Sequence, residues 1–340
     1  MSRLDPMSVV SVIIPTYNRA GDLLESLESL AEMSSAHPWE LIVVDNNSTD
    51  DTRLLVEEVA KTFPVELRYV FEPEQGRCAA LNAGIRQCRG EVVLTTDDDV
   101  RVEHDWIDNA VQGLNTLDCD YIGGRVLPVW QGSRPRWISA GPGRLWAVIA
   151  LLEYGPEPIE FGQRYVPLGV NMAFRKKCFG TAGLWDNRLG RKAGTLLGQE
   201  VREWTVRARA AGLKGFYWPA FSIHHCIPAD RLNKEYFRRW FYWHGVSRAL
   251  LYQQAGLDME APEAVGTDFS KVPHVLGVPR YLYRTGLKAA VDTVKAMLRK
   301  DQAAAFEHEL WMWFFAGIVK QRMRDRRQTP GPGKMRVAVQ

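Results

Sequence analysis

Three consecutive carboxylates, Asp97-Asp98-Asp99, follow directly on the apolar run Glu91-Val92-Val93-Leu94-Thr95-Thr96. Like charges this close repel, so a positive group is expected beside them. A divalent cation with oxygen ligands, bridging phosphates, is the natural occupant. The plain alternative is a solvated turn that caps a helix starting near Glu103, because Asp favours such positions. Two further polar clusters precede the triplet: Pro15-Thr16-Tyr17-Asn18-Arg19 and Asp45-Asn46-Asn47-Ser48. Each alone is ordinary turn chemistry. Together they have the composition of a phosphate- and metal-binding edge.

The elements that must position these clusters alternate between two periods. Val9 to Ile14 is a nearly continuous β-branched run, the pattern of a strand covered on both faces. Leu23, Leu24, Leu27 and Leu30 recur at helical spacing, and Leu41 to Val44 gives a second buried strand. A helix through Leu54 to Val59, a strand over Val65 to Val70, a helix over Ala79 to Ile85 and the strand before the triplet complete the series. This order predicts an α/β fold, a mostly parallel sheet with helices on both faces. Ligands of such sheets bind at the carboxyl ends of the strands, where all three polar clusters fall.

At that point the sequence becomes recognisable. The blocks VSVIIPTYNRAGDLLESLESL, LIVVDNNSTDDT, EQGRCAALNAGI and GEVVLTTDDDV, in this order and spacing, resemble the family 2 glycosyltransferases of GT-A (Rossmann-like) fold. The likeness runs from about Val9 to Arg231. It implies a nucleotide-diphosphate sugar donor, a divalent metal (Mn²⁺ or Mg²⁺) and inversion at the anomeric carbon. By that resemblance Pro15, Thr16 and Asp45 line the base and ribose pocket, with Tyr17 and Asn47 in the same two clusters. Asp97 contacts the donor's ribose or sugar, Asp98 lies in the donor site, and Asp99 holds the metal against the diphosphate. Asp97 and His225 are further metal candidates; His225, six residues after Pro219, matches a His common in the family. Arg19 and Arg77, near strand ends, are candidate phosphate partners, although exposed arginines are more often solvated surface.

An inverting transfer needs a base for the acceptor hydroxyl. The family places an acidic pair, usually Glu-Asp, on a later helix, and the matching segment here is Gln199-Glu200-Val201-Arg202-Glu203. The Asp that ordinarily serves as base is replaced by Val201. Glu200 is the favoured base and Glu203 the second candidate; Glu203 also stands four residues before Arg207, at ion-pair spacing. Gly169 to Arg175 resembles the acceptor-side strand, and reads equally as a buried strand. Arg238-Arg239-Trp240 faintly resembles an Arg-Trp motif of processive members.

The chain has 340 residues, 46% hydrophobic and 24% charged, with a net charge of +3. That composition gives no general nucleic-acid signature. Five cysteines without metal-ligand spacing argue against a zinc site or a disulfide framework and favour a reducing cytoplasm. The start, MSRLDPMSVV, lacks the pattern of a signal peptide, and the longest apolar stretch, Leu310 to Val319, is too short to span a bilayer. Beyond Arg231 the chain is rich in aromatics interleaved with basic residues. Helices are expected after Arg231, over Arg280 to Leu298 and over Gln302 to Arg324. Aromatic residues beside Lys320, Arg322, Arg324, Arg326 and Arg327 suit a membrane surface, which is the favoured reading, with packing on protein as the alternative.

The resulting expectation is a catalytic domain over residues 1–230, a helical region over 231–327 and a disordered tail over 328–340. The function expected is transfer to a saccharide or lipid-linked saccharide acceptor during surface polysaccharide assembly, peripherally on the cytoplasmic face. The segment Val126 to Phe161, rich in Trp, Pro, Gly and Arg, is expected over the acceptor cleft. Two alternatives remain: a non-catalytic scaffold on the same fold, favoured by Val201, and a sugar nucleotidyltransferase. The latter is disfavoured because PTYNR stands where its Gly-rich basic loop would be.

Overall fold

The computed structural model describes residue 4 and residues 8–162, 164–255, 273–275 and 277–328. The chain divides into two compact units, Met1–Phe237 and Arg238–Gln340.

In the first unit, the β-branched runs form strands β1 (Val10–Thr16), β2 (Trp39–Asp45), β3 (Leu67–Phe71) and β4 (Val92–Thr96). Helices α1 (Ala20–Ala31), α2 (Thr52–Val59) and α3 (Arg77–Gln87) connect them, as the periodicity predicts. β1 pairs in parallel with both β2 and β4, and β2 with β3. The register sets Thr16 opposite Asp45, which brings the ends of β1 and β2 to one edge. The side chains of Val12, Ile13, Leu41 to Val44 and Val92 to Leu94 are fully buried, as expected for strands covered on both faces. α3 lies so close to the sheet that a Cβ on Gly84 would fall 2.5 Å from Ile13 Cγ2.

The helix expected from Glu103 begins later, as α4 (Trp106–Thr116), because a short strand β5 (Val100–Val102) intervenes. Then come β6 (Tyr121–Trp130), β7 (Ile159–Glu160), β8 (Asn171–Arg175), α5 (Lys177–Thr181), α6 (Glu200–Ala210) and β9 (Gly215–Ile227). The sheet runs β3-β2-β1-β4-β8-β6-β9-β5, with β7 also paired to β9. β8 is antiparallel to β4 and β6, and β5 is antiparallel to β9 with Val100 opposite His225. Periodicity does not reveal β6 and β9, because Gly123, Gly124, Pro128 and Pro219 punctuate them. Gly124 is required by close approach: a Cβ there would sit 1.7 Å from the Phe221 carbonyl oxygen, at a bulge between β6 and β9.

Asn171 is a buried strand residue that ties this half together. Its amide donates to the carbonyls of Arg125 (3.0 Å) and Phe221 (2.9 Å), and its Oδ1 accepts from Trp106 Nε1 (3.0 Å). α6 is anchored by Trp204, fully buried, whose ring lies 5.2 Å from those of both Tyr121 and Phe174. Its Nε1 donates to the Gly183 carbonyl at 2.9 Å. All five cysteines are buried and none is in a disulfide. Burial pushes every one of these thiols up, Cys119 and Cys178 to about 12.

The second unit is built from α7 (Lys234–Ala255), which starts at the end of the first, with the short hairpin β10 (His274–Val275) and β11 (Val278–Pro279), then α8 (Arg280–Leu298) and α9 (Gln302–Gln328). α7 and α9 touch backbone to backbone: a Cβ on Gly245 or Gly317 would fall 2.0 Å from the carbonyl oxygen of Phe314 or Tyr242. Phe241, Leu310, Phe314 and Ile318 are buried around that crossing. Arg238 pairs with Glu309 on α9 at 2.6 Å. Of the tail expected from residue 328, only Gln328, the last residue of α9, lies within the described residues. Among these residues no helix is long and apolar enough to cross a membrane.

Candidate active site

The turn after β1 aims Arg19 at the carboxylate triplet. Asn18 takes the left-handed conformation (φ 52°), which Asn tolerates better than most residues. The reversed chain carries Arg19 back to the sheet edge. There its Nη1 donates to Asp98 Oδ1 at 2.8 Å and to Asp99 Oδ2 at 2.9 Å. Thr16, the last residue of β1, donates its hydroxyl to Asp98 Oδ2 at 2.8 Å. Burial, reinforced by Asp99 and Asp97 and opposed by Arg19 and Thr16, pushes the Asp98 carboxyl up to about 7. Burial would raise Asp99 as well, but His225, Arg19 and Arg231 outweigh it and hold that carboxyl well below the usual range.

The β5–β9 pairing sets His225 beside Asp99, Nε2 to Oδ1 at 3.3 Å, while Arg231 Nη1 lies 3.3 Å from Asp99 Oδ2. His225 Nδ1 is 3.0 Å from the Ile149 carbonyl oxygen. A carbonyl can only accept, so Nδ1–H donates to it and fixes the ring with Nε2 facing the Asp99 carboxylate. A backbone carbonyl that fixes one ring nitrogen is the usual support of a His that ligates a metal through the other, and here that other nitrogen lies beside Asp99. This donor set fits a divalent cation held by Asp99 and His225, with further oxygens to come from a ligand. Ile149 belongs to the loop expected over the acceptor cleft, so that segment reaches the site.

Asp97 turns the other way. Its Oδ1 accepts from Arg77 Nε (2.9 Å) and Nη2 (2.6 Å). Arg77, on the first turn of α3, also donates from Nη2 to the Gly169 carbonyl at 3.0 Å, and its Nη1 lies 3.5 Å from Glu200 Oε1. Burial favours loss of the Arg77 proton, but Asp97 and Glu200 outweigh it and hold the guanidinium charged. Gly169 must be small, because a Cβ would meet Val201 Cγ2 at 2.9 Å and Arg77 Nη1 at 3.0 Å. Glu200 follows Gln199, a non-glycine residue at φ 82°. Such a conformation is held only by its surroundings and concentrates at functional sites.

Glu203 stands apart from this network. Both its oxygens take bonds from Arg207, at 2.6 and 2.8 Å, and Arg207 also donates to the Ala182 and Leu184 carbonyls. Asp45 is held on the donor side by the Ser48 amide (2.8 Å) and the Tyr69 hydroxyl (2.7 Å). Pro15 is buried within β1, while Tyr17 and Asn47 are exposed at the same edge. The structure thus gathers Thr16, Arg19, Asp98, Asp99 and His225 in one cluster and Arg77, Asp97 and Glu200 in a second. Asp97 is not joined to Asp99 and His225 as one ligand set. Among the described residues, no group of three or more His, Cys, Asp or Glu is arranged to hold a metal ion.

Sequence reasoning missed two arginines. Arg231 contacts Asp99 directly, and Arg191 lies within the field of Asp97 and Asp99, its Nη2 donating to the Tyr236 hydroxyl at 3.4 Å. With Arg19 and Arg77 they supply much of the positive charge the triplet demands, a role the sequence had suggested for a cation. Nothing local marks them, since an arginine in a loop reads the same whether it faces solvent or a carboxylate. Asn46 was also read as part of a polar cluster. Its side chain instead braces the loop before α3, donating to the Glu72 and Glu74 carbonyls and accepting from Gly76 N.

Known proteins agree with this architecture. The sequence profile described as Glycosyl transferase family 2 matches residues 11–180, half of the chain, and the protein belongs to that family. It is therefore a glycosyltransferase with a GT-A fold. Glycosyltransferase AglE of Haloferax volcanii is 27% identical over 236 residues, covering 67% of this chain and 71% of that protein. An undecaprenyl-phosphate 4-deoxy-4-formamido-L-arabinose transferase of Pseudomonas fluorescens is 34% identical over 99 residues, 28% of this chain and 29% of that one. Mannosyltransferase PcManGT of Pyrobaculum calidifontis, solved with GDP-Man and Mn²⁺, superposes with a TM-score of 0.61 at 20% identity, covering 93% of this chain and 88% of that one. That last likeness speaks for the fold.

Proposed function

We propose that this protein is an inverting transferase that moves one sugar from a nucleotide-diphosphate donor to a saccharide or lipid-linked saccharide acceptor. Its place would be on the cytoplasmic face of a membrane, in the assembly of a surface polysaccharide or glycoconjugate. The observation that carries this reading is the partly buried bridge Asp97–Arg77–Glu200, which brings a donor-side carboxylate and a helix carboxylate to one guanidinium. Asp45 and Thr16 take the nucleoside end, and Arg19, Arg191 and Arg231 offer guanidinium groups to the diphosphate. Glu200 accepts the proton of the acceptor hydroxyl as its oxygen bonds to the anomeric carbon and the bond from that carbon to the diphosphate breaks. A divalent ion held by Asp99 and His225 would add positive charge where the leaving diphosphate gathers negative charge.

The undecaprenyl phosphate in the name of the Pseudomonas relative and the GDP-Man and Mn²⁺ in complex with the Pyrobaculum neighbour support the lipid, donor and metal parts of this reading. The test is thermal unfolding against UDP, GDP, dTDP and CMP, each with and without Mn²⁺. A metal-dependent rise with one nucleoside diphosphate, abolished in Asp99→Ala, is expected. Equal response to all ligands, or none, would defeat it.

A further inference from the structure

Helix α8 has two apolar faces. One is lined by Leu282, Gly286, Ala289, Thr293 and Ala296, buried against α9, with Gly286 beside the Phe315 ring. The other faces solvent. Leu287, Val291, Val294 and Leu298 recur at i, i+4, i+7 and i+11, a single stripe, and are 68, 42, 54 and 80% exposed. The stripe is about 17 Å long at the helical rise. Single exposed apolar residues need no explanation, but four in register do. A second row runs alongside it: Arg284, Lys288, Lys295 and Arg299, all exposed. The one acidic residue on α8, Asp292, lies 4.0 Å from Lys295.

We infer that this face of α8 lies in the headgroup layer of an anionic membrane. The Leu and Val side chains enter the acyl boundary and the Arg/Lys row meets lipid phosphates. Of the aromatic residues that the sequence offered for this role, Phe241 and Phe314 are buried within the second unit, while Trp311 and Trp313 on α9 are 38 and 42% exposed. Charge decides between a lipid surface and a second copy of the chain. Two copies joined through this stripe would bring two basic rows together, whereas an anionic bilayer complements them.

The inference rests on the peripheral placement proposed above. Vesicle binding, however, is read without donor or acceptor, so its failure leaves the transferase reading standing. The experiment is co-sedimentation of the full chain with phosphatidylcholine vesicles, with and without phosphatidylglycerol, at low and high salt. Wild type should bind the anionic vesicles at least about tenfold more tightly than the neutral ones, and less at high salt. Leu287→Asp/Val294→Asp should lose about tenfold or more of that binding with an unchanged unfolding midpoint, because both side chains are exposed. Lys288→Glu/Lys295→Glu should lose binding to the anionic vesicles alone. Wild-type binding by the Leu287/Val294 variant would overturn the inference. So would a wild-type dimer that this variant turns into monomer without affecting vesicle binding.

Discussion

Arg77 donates two bonds to Asp97 and lies 3.5 Å from Glu200, so a change there acts on both carboxylates at once. Lysine keeps the charge but not the planar fork. Arg77→Lys should therefore lower turnover on the order of 100-fold while the fold survives, measured by transfer kinetics alongside unfolding. Glu200→Gln should retain donor binding and lose roughly 10²- to 10⁴-fold in transfer, the usual share of a general base. Glu203→Gln should keep turnover and lose about 0.5 kcal/mol of stability, because it breaks an i, i+4 pair. The reverse pattern in these two variants would move the base to Glu203. At this scale the carboxylates were legible because three adjacent like charges are locally anomalous. Arg19 and Arg77 were legible as candidates but not their carboxylate partners, 80 residues away at Asp99 and 123 away at Glu200, and Arg191 and Arg231 were not legible at all.

The elements around the site were read well where one period ruled and poorly where turns interrupted it. β1 to β4 and their helices follow the sequence pattern closely. β5 escaped notice because three residues are too few to show alternation, and β9 because Pro219 interrupts it. Yet β5 and β9 are what join Asp99 to His225. Glu40 shows how the front strands are locked: it accepts from Ser11 Oγ (2.6 Å), Arg89 N (2.7 Å) and Arg68 Nη2 (2.7 Å). Burial opposes its charge, but these donors and Arg68 outweigh it and lower its pKa. A carboxyl depressed in the folded state stabilises above its unfolded pKa, and that stability is lost as pH falls through the folded value. Glu40→Gln should cost about 1–3 kcal/mol at neutral pH. The variant should also show a shallower loss of stability than wild type below about pH 4, measured by denaturant unfolding across pH.

At the scale of the whole chain, the candidate donor site lies entirely within Met1–Phe237. A nucleoside diphosphate with Mn²⁺ at 100 times its Kd should stabilise that unit by about 2.7 kcal/mol. For a unit of this size calorimetry should read the effect as a rise of about 5–10 °C in Tm. The change in character near Arg231 was visible as composition, whereas the function of the aromatics was not. Glycines at 245 and 317 let α7 and α9 touch, and only that contact shows why the neighbouring rings are inside.

The five cysteines carry a practical consequence. A thiol reacts as its thiolate, and here every thiol is both shielded and shifted upward. The native chain offers a blank background for maleimide labelling. A reporter placed by Leu298→Cys, on the most exposed residue of the α8 stripe, would carry the whole native signal. Any label on the natural thiols would then count opening events and act as a clock for unfolding.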